Sequence, residues 1–468
     1  MFDIEFFDKS KLLMPVSSAA PSSAATAHIS VSRQARSVPG SALRGTCRLP
    51  GDKSLSQRAL ICAALAIGES RLENMLDSAD VRATADALSL LGAGIARDKT
   101  SWRVRGCGVG GFGAPGQTLH LGNAGTGVRL LMGALASSPH AVRLSGDASL
   151  SRRPMARVLA PLRAMGVMAH ARAGEHLPLR LIPPPRLSPV RFTLPVPSAQ
   201  VKSALIFAAL GAGGESEICE PVPSRDHTER MLPLFGGVCR RTAWRRGWRL
   251  SIPGDQSLRA ARVRMAGDPS AAAFLMVAAS ICRGAEIRLK DCMLNPHRLG
   301  FVRALTRMGG ALTRLKTRRV GGEEVADFHV RAAPLRGINA PARDAPAMID
   351  EIPILAVAAA FARGRTKFAG LSELRVKESD RLAAIHDGLS ANGVPVRRGE
   401  DWLEIQGADT VPGGGFVRAR RDHRIAMAFL VLGMAAEQPV RVDSADMIAT
   451  SYPNFFADMR ALGAQLDG

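Results

Sequence analysis

Helical stretches that are apolar on nearly every face recur six times along the chain, and each begins with small or charged residues. A helix that is apolar all round must lie inside a domain, so its polar first turn must point toward a surface or cleft. The six stretches are SLSQRALICAALA (54–66), GTGVRLLMGALA (125–136), SAQVKSALIFAAL (198–210), PSAAAFLMVAAS (269–280), DEIPILAVAAAFA (350–362) and DHRIAMAFLVLGMAA (422–436).

A second pattern also occurs six times: an amphipathic helical stretch, then a glycine, then a strand-like run. RPMARVLAPLRAMG (153–166) and NPHRLGFVRALTRMGG (295–310) show it clearly. Glycine is expected after a helix because it enters the left-handed conformation without strain. By subtraction the spacings are 74, 70, 73, 84 and 70 residues, between Gly92, Gly166, Gly236, Gly309, Gly393 and Gly463.

These two patterns predict an α/β protein built from six repeats. Each repeat holds a buried helix, short strands and an outer helix, and three repeats in each of two domains suit a chain of 468 residues. The starts of the buried helices are expected to meet in a cleft between the domains. Helix starts carry unpaired N–H groups, and each favours a nearby anion by ~0.3–1 kcal/mol.

The charge of the chain also indicates anionic partners. The sequence has 62 basic and 41 acidic residues, a net charge of +21; 9 of the basic residues are Lys, which leaves 53 Arg. Such an excess attracts anions and is found in nucleic-acid-binding proteins. However, only one Tyr is present and aromatic residues are 4%, whereas single-stranded nucleic-acid binders use stacking rings. We therefore expect most arginines to be solvated, with RNA binding as an alternative.

Compartment and topology are predicted from other features. No run of 18 uncharged apolar residues is present, so no membrane span is expected. The seven cysteines form no CxxC pair, which favours a reducing compartment, here the cytoplasm. Segment 15–27 is low-complexity, and we expect residues 1–31 to be a disordered extension whose acidic start argues against a secretory signal.

Polar residues suited to anions cluster on the first two helix starts. LPGDKSLSQR (49–58) carries Lys53, Ser54 and Arg58, and LGNAGTGVR (121–129) could cradle a phosphate or carboxylate with its backbone N–H groups. The candidates on and near the second start are Asn123, Gly125, Thr126, Arg129 and Arg153.

The other starts supply neutral donors, carboxylates and more cations. Ser198, Ala199 and Gln200 suit hydroxyl groups, and SRDHTER (224–230) provides Arg225. No HExxH or other metal-ligand spacing occurs, so no metal site is predicted. The set therefore suits two phosphorylated anions with acid–base chemistry between them, and its remaining candidates are Asp350, Lys377, Glu378, Arg381, His423 and Arg424.

These motifs resemble those of the 5-enolpyruvylshikimate-3-phosphate synthases, in the same order and over residues 36–468. Three of them, SAQVKSA, SRDHTER and ATSYP, look like the second class of that family. The motifs are LPGDKSLSQR, GNAGTGVR, RPMARVLAPLRAMG, SAQVKSA, SRDHTER, IDEIPILAVAAA, RVKESDR, DHRIAM and ATSYP.

The resemblance implies a fold of two inverse α/β barrel domains, each with three βαβαββ-type repeats. It places one domain at residues 52–265 and the other at 32–51 and 266–468. It also implies a monomer without cofactor or metal. The implied reaction transfers the enolpyruvyl group of phosphoenolpyruvate to the 5-hydroxyl of shikimate 3-phosphate, a step of the shikimate pathway that glyphosate inhibits.

Roles for single residues also follow from the resemblance. Asp350 corresponds to the proton acceptor, Glu378 to the residue that handles the methylene proton, and Lys53 to a third catalytic group. Shikimate 3-phosphate would contact Lys53, Ser54, Arg58, Ser198, Ala199, Gln200, Arg225, Asp350 and Lys377. Phosphoenolpyruvate would contact Lys53, Gly125, Arg153, Gln200, Arg381 and Arg424, and the residues supporting these contacts would be Asn123, Thr126, Arg129 and His423.

Two departures and one further alternative accompany this interpretation. Thr450 stands where many family members have lysine, and Gly125 stands where glyphosate-insensitive members have alanine. An enolpyruvyl transferase acting on UDP-N-acetylglucosamine would share the fold, but that family has Lys-Asn where this chain has Lys53-Ser54.

Overall fold

The computed structural model describes residues 33–40, 42–98 and 101–468, and Arg33–Gly468 forms one compact unit. The extension predicted at residues 1–31 lies outside the described residues. In the described ranges, no helix combines the length and the apolar character that crossing a membrane requires. All seven cysteines are free thiols.

The six apolar stretches form six helices, here named inner helices 1 to 6. They pack against one another in two sets, helices 1 to 3 and helices 4 to 6. Their bounds lie within two residues of the predicted ones: Lys53–Ala64, Gly125–Leu135, Ala199–Ala209, Pro269–Ile281, Ile352–Ala360 and His423–Ala435.

The amphipathic stretches form six outer helices, and the glycine after each has a positive φ, between 77° and 103°. The predicted glycine caps are therefore confirmed. The outer helices are Ala79–Leu90, Ala156–Ala164, His227–Met231, Gly300–Arg307, Arg381–Ala391 and Phe455–Ala461, with a short extra helix at Ala148–Ser151.

The fourth outer helix is shorter than the predicted stretch 295–310. Residues Pro296–Arg298 form a separate 3₁₀ turn, and the α-helix starts only at Gly300. The side chain of Asn295 accepts a hydrogen bond from the backbone N–H of His297 and so caps this turn. Arg298 is 3% exposed, which shows that this turn is drawn into the interior.

Six sheets share one pattern: a parallel strand pair at one edge, then two antiparallel pairings. Each is open, and none closes into a barrel within the described ranges. The strands, in their order across each sheet, are Arg262–Arg264, Glu69–Glu73, Ser101–Arg105 and Gly94–Arg97 in repeat 1, and Leu119–His120, Val142–Ser145, His176–Ile182 and Met168–Arg172 in repeat 2. They are Arg191–Thr193, Ser216–Glu220, Gly247–Ile252 and Arg240–Trp244 in repeat 3, and Arg44–Arg48, Glu286–Met293, Glu323–Arg331 and Ala311–Val320 in repeat 4. They are Leu335–Arg336 with Asn339–Ala340, Ala362–Ala369, Trp402–Gly407 and Val396–Arg398 in repeat 5, and Phe416–Val417, Val440–Val442, Ala35–Ser37 and Leu466–Asp467 in repeat 6. A two-strand pair, Ala66–Ile67 with Leu258–Arg259, lies beside them.

The chain therefore follows a βαβαββ order in each repeat, as predicted, but three sheets borrow a strand from a distant segment. Repeat 1 takes its first strand from Arg262–Arg264, and repeat 4 takes its first strand from Arg44–Arg48. Repeat 6 completes its sheet with the N-terminal strand Ala35–Ser37. The last two exchanges join residues 35–37 and 44–48 to the half of the molecule that contains repeats 4 to 6.

The buried apolar side chains form two separate cores. The central core, named for its position in the chain, extends from Leu55 to Ala266 and adds Met293 and Val325. The terminal core contains buried apolar residues from Ala35 to Leu49 and, apart from Met293 and Val325, from Ala271 to Leu466.

The chain passes between the two cores at two adjacent crossings. Here Asp52 N–H donates to the carbonyl of Ala266, and Asp268 N–H donates to the carbonyl of Pro50, both at 2.9 Å. Gly51 pairs with Gly267 between them. A Cβ on Gly51 would lie 1.8 Å from the carbonyl oxygen of Asn74, so only glycine fits this crossing.

Candidate active site

Asp350 lies in a 3₁₀ turn just before inner helix 5, where cations from both halves of the molecule meet it. Arg225, from the central half, donates to its Oδ2 at 2.7 Å. On the other oxygen, Lys377 Nζ lies 3.3 Å away and Arg381 Nη1 lies 3.5 Å away. Burial alone would raise the pKa of the Asp350 carboxyl, but these cations and Arg424 hold it well below its usual value.

Glu378 is the second carboxylate of this region. Its Oε2 accepts a hydrogen bond of 2.6 Å from Arg381, and its Oε1 lies 3.9 Å from Arg153 of the central half. Burial acts to raise the pKa of Glu378, but the neighbouring cations Arg381, Arg153 and Lys53, of which Arg381 acts most strongly, keep it well below normal. Both carboxyl groups are therefore ionised at neutral pH.

Lys53 begins inner helix 1, whose first turn is capped by the Asp52 carboxylate accepting from Leu55 N–H at 2.8 Å. Its ammonium donates to Asp80 at 2.9 Å. Its charge lowers the pKa of both Glu378 and His423 on the other half of the molecule. The first and sixth helix starts thus face each other.

The second and third helix starts are linked by a hydrogen-bond chain. Arg129 donates to Gln200 Oε1 at 3.1 Å, and Gln200 Nε2 donates to Thr126 at 2.9 Å. Arg153 donates to Asn123 at 2.8 Å. Burial, together with the nearby cations, lowers the pKa of the Arg129 guanidinium to about 10.

Gly125 leaves the space into which Arg153 extends. A Cβ at this position would lie 2.9 Å from Arg153 Nη1 and 3.3 Å from Arg129 Nη1. A side chain here would therefore displace a guanidinium group.

The sixth helix start consists of Asp422, His423 and Arg424, each of which contacts residues elsewhere in the site. Asp422 caps the helix by accepting from Arg424 N–H at 3.0 Å, and it also accepts from Arg381 Nε at 2.8 Å. The Arg424 side chain donates to the backbone carbonyl of Asp350 at 2.8 Å. Burial and Lys53 lower the pKa of His423 well below its usual value, and its Nδ1 lies 3.3 Å from Thr450 Oγ1.

Arg58, a candidate on the first helix start, is buried. Its side chain is 2% exposed and donates to Thr228 at 2.9 Å and Ser203 at 3.0 Å. Burial lowers the pKa of the guanidinium to about 10. The positive charge of Arg225 contributes to that shift.

The remaining candidates, Ser54, Ser198 and Ala199, are half-buried at the first turns of their helices. The Ser198 hydroxyl accepts from Val201 N–H at 3.4 Å and so acts as the helix cap. Direct contacts or mutual charge effects thus connect the candidates on inner helices 1, 2, 3, 5 and 6. Inner helix 4 contributes through residues that the sequence did not single out.

Sequence reasoning missed Asp80, Ser270 and Arg298. Asp80 holds Lys53, and Ser270 and Arg298 lie behind Arg424. Asp80 stands in the first turn of an amphipathic helix, where an acidic residue is expected for helix stability alone. Ser270 had a detectable signal, because it occupies the fourth helix start; Arg298 had none beyond its place in an arginine-rich segment.

The arrangement can bind anions and move protons. Six cations surround two ionised carboxylates, and neutral amide and hydroxyl groups lie beside them, which suits phosphate and carboxylate ligands. Within the described ranges, no group of three or more His, Cys, Asp and Glu side chains is placed to hold a metal ion. The six cations are Lys53, Arg153, Arg225, Lys377, Arg381 and Arg424.

Comparisons of the sequence and of the structure with known proteins point to the same family. The family model for EPSP synthase (3-phosphoshikimate 1-carboxyvinyltransferase) matches residues 38–459. The 3-phosphoshikimate 1-carboxyvinyltransferase of Parvibaculum lavamentivorans is 50% identical over 433 residues, 92% of this chain and 96% of that protein. The enzyme of the same name from a Methylobacterium species is 50% identical over 443 residues, with 93% and 99% coverage.

A solved structure of EPSP synthase from Acinetobacter baumannii has a TM-score of 0.83 to this chain at 37% identity. It covers 93% of this chain and 99% of its own. The likeness thus extends over both cores.

Proposed function

The chain belongs to the EPSP synthase family, and we propose that it performs the family's reaction between its two cores, with the charged cluster around Asp350 and Glu378 as the active site. The protein is a 3-phosphoshikimate 1-carboxyvinyltransferase. It transfers the enolpyruvyl group of phosphoenolpyruvate to the 5-hydroxyl of shikimate 3-phosphate and releases phosphate.

We further propose two domains, one formed by residues 52–265 and the other by residues 32–51 with 266–468. The reason is that the chain leaves one core and enters the other at each of the two crossings. Arg225 and Arg153 from the first domain approach Asp350 and Glu378 of the second. Closure of the domains would exclude water from the reacting atoms. A monomer in the cytoplasm completes the proposal.

The proposed binding residues form two groups, one for each substrate. Arg225 and Lys53, with Ser54, Arg58, Ser198, Ala199, Gln200 and Lys377, would hold shikimate 3-phosphate. Arg153, Arg381 and Arg424, with Gly125, Lys53 and Gln200, would hold phosphoenolpyruvate. Asn123, Thr126, Arg129 and His423 would support them, because each contacts or lies beside one of these groups.

The proposed chemistry needs a base at the hydroxyl and an acid at the methylene carbon. Asp350 is ionised, so it can accept the proton of the 5-hydroxyl as the oxygen attacks the enol carbon of phosphoenolpyruvate. Glu378, once protonated, donates to the methylene carbon in the same step. In the second step Glu378 takes back a proton from the newly formed methyl group, and phosphate leaves with the proton that Asp350 had accepted, which restores the enol double bond.

The proposal rests mainly on one arrangement: Arg225 and Lys377 both approach the carboxylate of Asp350, beside the contact between Glu378 and Arg153. The test measures phosphate release from phosphoenolpyruvate with shikimate 3-phosphate as acceptor. Asp350→Asn and Glu378→Gln should each lower kcat by about 10²- to 10⁴-fold. The control Asp409→Asn removes an exposed carboxylate paired with Arg363 and should leave kcat unchanged. Full activity of either active-site variant, or turnover only with UDP-N-acetylglucosamine, would contradict the proposal.

A further inference from the structure

The Arg424 guanidinium is held by a buried network in which Ser270, Glu351 and Arg298 are not proposed substrate contacts. Its Nη1 donates to the Asp350 carbonyl at 2.8 Å and lies 3.4 Å from Glu351 Oε1. Its Nη2 donates to the Ser270 hydroxyl at 3.3 Å. The Arg424 side chain is 12% exposed, so most of its orientation is set by these protein partners.

Ser270 is at the centre of this network. Its hydroxyl donates to Glu351 at 2.5 Å and accepts from Arg298 Nη2 at 2.9 Å as well as from Arg424. One donor and two lone pairs are all that a hydroxyl offers, so its hydrogen-bonding capacity is fully used. Ser270 is 5% exposed and Glu351 is 1% exposed.

Arg298 connects Ser270 to both crossings of the chain. Its Nη1 donates to Asp52 at 2.8 Å, and its Nη2 donates to Asp268 at 3.0 Å. These two aspartates cap inner helices 1 and 4. The position of Ser270 is therefore determined by the same residues that hold the crossings together.

We propose that Ser270 and Glu351 are positioning residues for phosphoenolpyruvate binding: they orient the Arg424 guanidinium, and Arg298 fixes them relative to the two crossings. This inference rests on the proposed function of Arg424. A guanidinium recognises a carboxylate or phosphate through two N–H groups in a fixed geometry, so loss of its orientation weakens binding without removing charge. Binding of shikimate 3-phosphate, which depends on Arg225 in the proposed function, should not change.

The first experiment compares two serines on inner helix 4. Ser270→Ala should raise KM for phosphoenolpyruvate about 10-fold or more, since one hydrogen bond to a charged group is lost and others are loosened. KM for shikimate 3-phosphate should stay within about twofold. Ser280→Ala is the matched control: Ser280 is also buried on this helix, and its hydroxyl donates to the Met276 carbonyl instead.

The second experiment separates geometry from charge at Glu351. Glu351→Asp keeps the charge but withdraws the carboxylate by one methylene, so KM for phosphoenolpyruvate should rise about 10-fold. Glu351→Gln keeps the reach and an acceptor oxygen, and its KM should remain within about threefold of the wild type. Urea unfolding of each variant shows whether it is folded under the assay conditions.

The outcomes distinguish this inference from the proposed function. If the wild-type protein releases no phosphate from its two substrates, the proposed function fails. If the wild type is active but Ser270→Ala and Glu351→Asp change both KM values equally, or neither, the positioning role is wrong. A larger effect of Glu351→Gln than of Glu351→Asp would also overturn it, because charge would then matter more than geometry.

Discussion

Arg225 Nη2 lies 2.7 Å from Asp350 Oδ2, although 125 residues separate the two in the chain. Arg225 lies just before the third outer helix, in the central half, and Asp350 lies before inner helix 5, in the terminal half. In the proposed assignment, shikimate 3-phosphate would exchange this ion pair for its own contacts when it binds. Its phosphate would take over Arg225 and its hydroxyl would take over Asp350.

Arg225→Met should weaken binding of shikimate 3-phosphate selectively. A hydrogen bond from a charged group contributes about 1.5–3 kcal/mol, so KM for this substrate should rise by roughly 10- to 150-fold. KM for phosphoenolpyruvate should change little, as measured by steady-state phosphate release. Arg240→Met, which removes an exposed arginine paired with Glu215, is the control. Equal increases of both KM values would contradict the assignment.

Binding of phosphoenolpyruvate should be accompanied by proton uptake at Glu378. The pKa of Glu378 is low because Arg381, Arg153 and Lys53 surround it, and an anionic ligand that neutralises these cations will raise it. Calorimetric titrations in buffers of different ionisation enthalpy, with shikimate 3-phosphate saturating, measure the protons taken up. Glu378→Gln, which cannot titrate, corrects for protons exchanged by the ligand. Identical uptake in both proteins would rule out this role.

Gly125→Ala should reduce inhibition by glyphosate more than it impairs phosphoenolpyruvate binding. The added methyl carbon would lie 2.9 Å from Arg153 Nη1, so the guanidinium must shift and less space is left for a ligand beside it. Glyphosate is a longer anion than phosphoenolpyruvate, so it should lose more from the reduced space. We expect the inhibitory concentration to rise about 10-fold or more. Gly113→Ala, whose Cβ would meet only the Leu91 carbonyl at 3.7 Å, is the control, and an unchanged inhibitory concentration in Gly125→Ala would refute the prediction.

Lys202→Met should destabilise the protein strongly. The Lys202 ammonium lies 2.9 Å from Glu220 and 2.8 Å from Glu229, and all three side chains are at most 8% exposed. Removing one partner leaves buried carboxylates without a counter-charge, at a cost of about 3–5 kcal/mol in unfolding free energy. Urea denaturation measures this loss.

Two variants test that reasoning. Adding Glu220→Gln to Lys202→Met should recover part of the lost stability, because one uncompensated charge is removed. Lys290→Met breaks a more exposed pair with Asp327 and should cost no more than about 1 kcal/mol. A loss for Lys202→Met as small as that for Lys290→Met would show that the buried cluster is not stabilising.

His423 should make stability fall as the pH drops from 6.5 toward 5. Burial and Lys53 hold the pKa of His423 well below 6.5, so the folded protein keeps this imidazole neutral while the unfolded chain takes up a proton. The contribution is fully present above pH 6.5 and is lost below it, at roughly 1.4 kcal/mol per pH unit. Urea unfolding at a series of pH values should show a shallower slope for His423→Gln. Parallel slopes for His423→Gln and wild type would contradict the shift.

The sequence predicted the repeats well because their signals are local. An apolar stretch and a glycine after a helix depend on ten to fifteen neighbouring residues, and inner helices 1 and 6 begin within one residue of their predicted starts. The prediction was less accurate at 295–310, where Arg298 bonds to Asp52, 246 residues away. Such distant partners leave no trace in hydrophobic periodicity.

The candidate site, like the fold, could be predicted from the sequence only in part. Residue types that bind anions could be identified on the helix starts, since capping and charge are visible in short motifs. The burial of Arg58 against Thr228 and Ser203, and the support of Arg424 by Ser270, depend on which helices pack together.

By itself, the sequence determined that six apolar helices with polar first turns would be buried, and that their starts would be rich in cations. Only the tertiary structure decided which starts face one another, and hence that Arg225 pairs with Asp350 and Arg153 approaches Glu378. The physical reason is range: helix formation and capping are settled within a few turns. An ion pair between distant segments exists only after two cores and two crossings have brought them together.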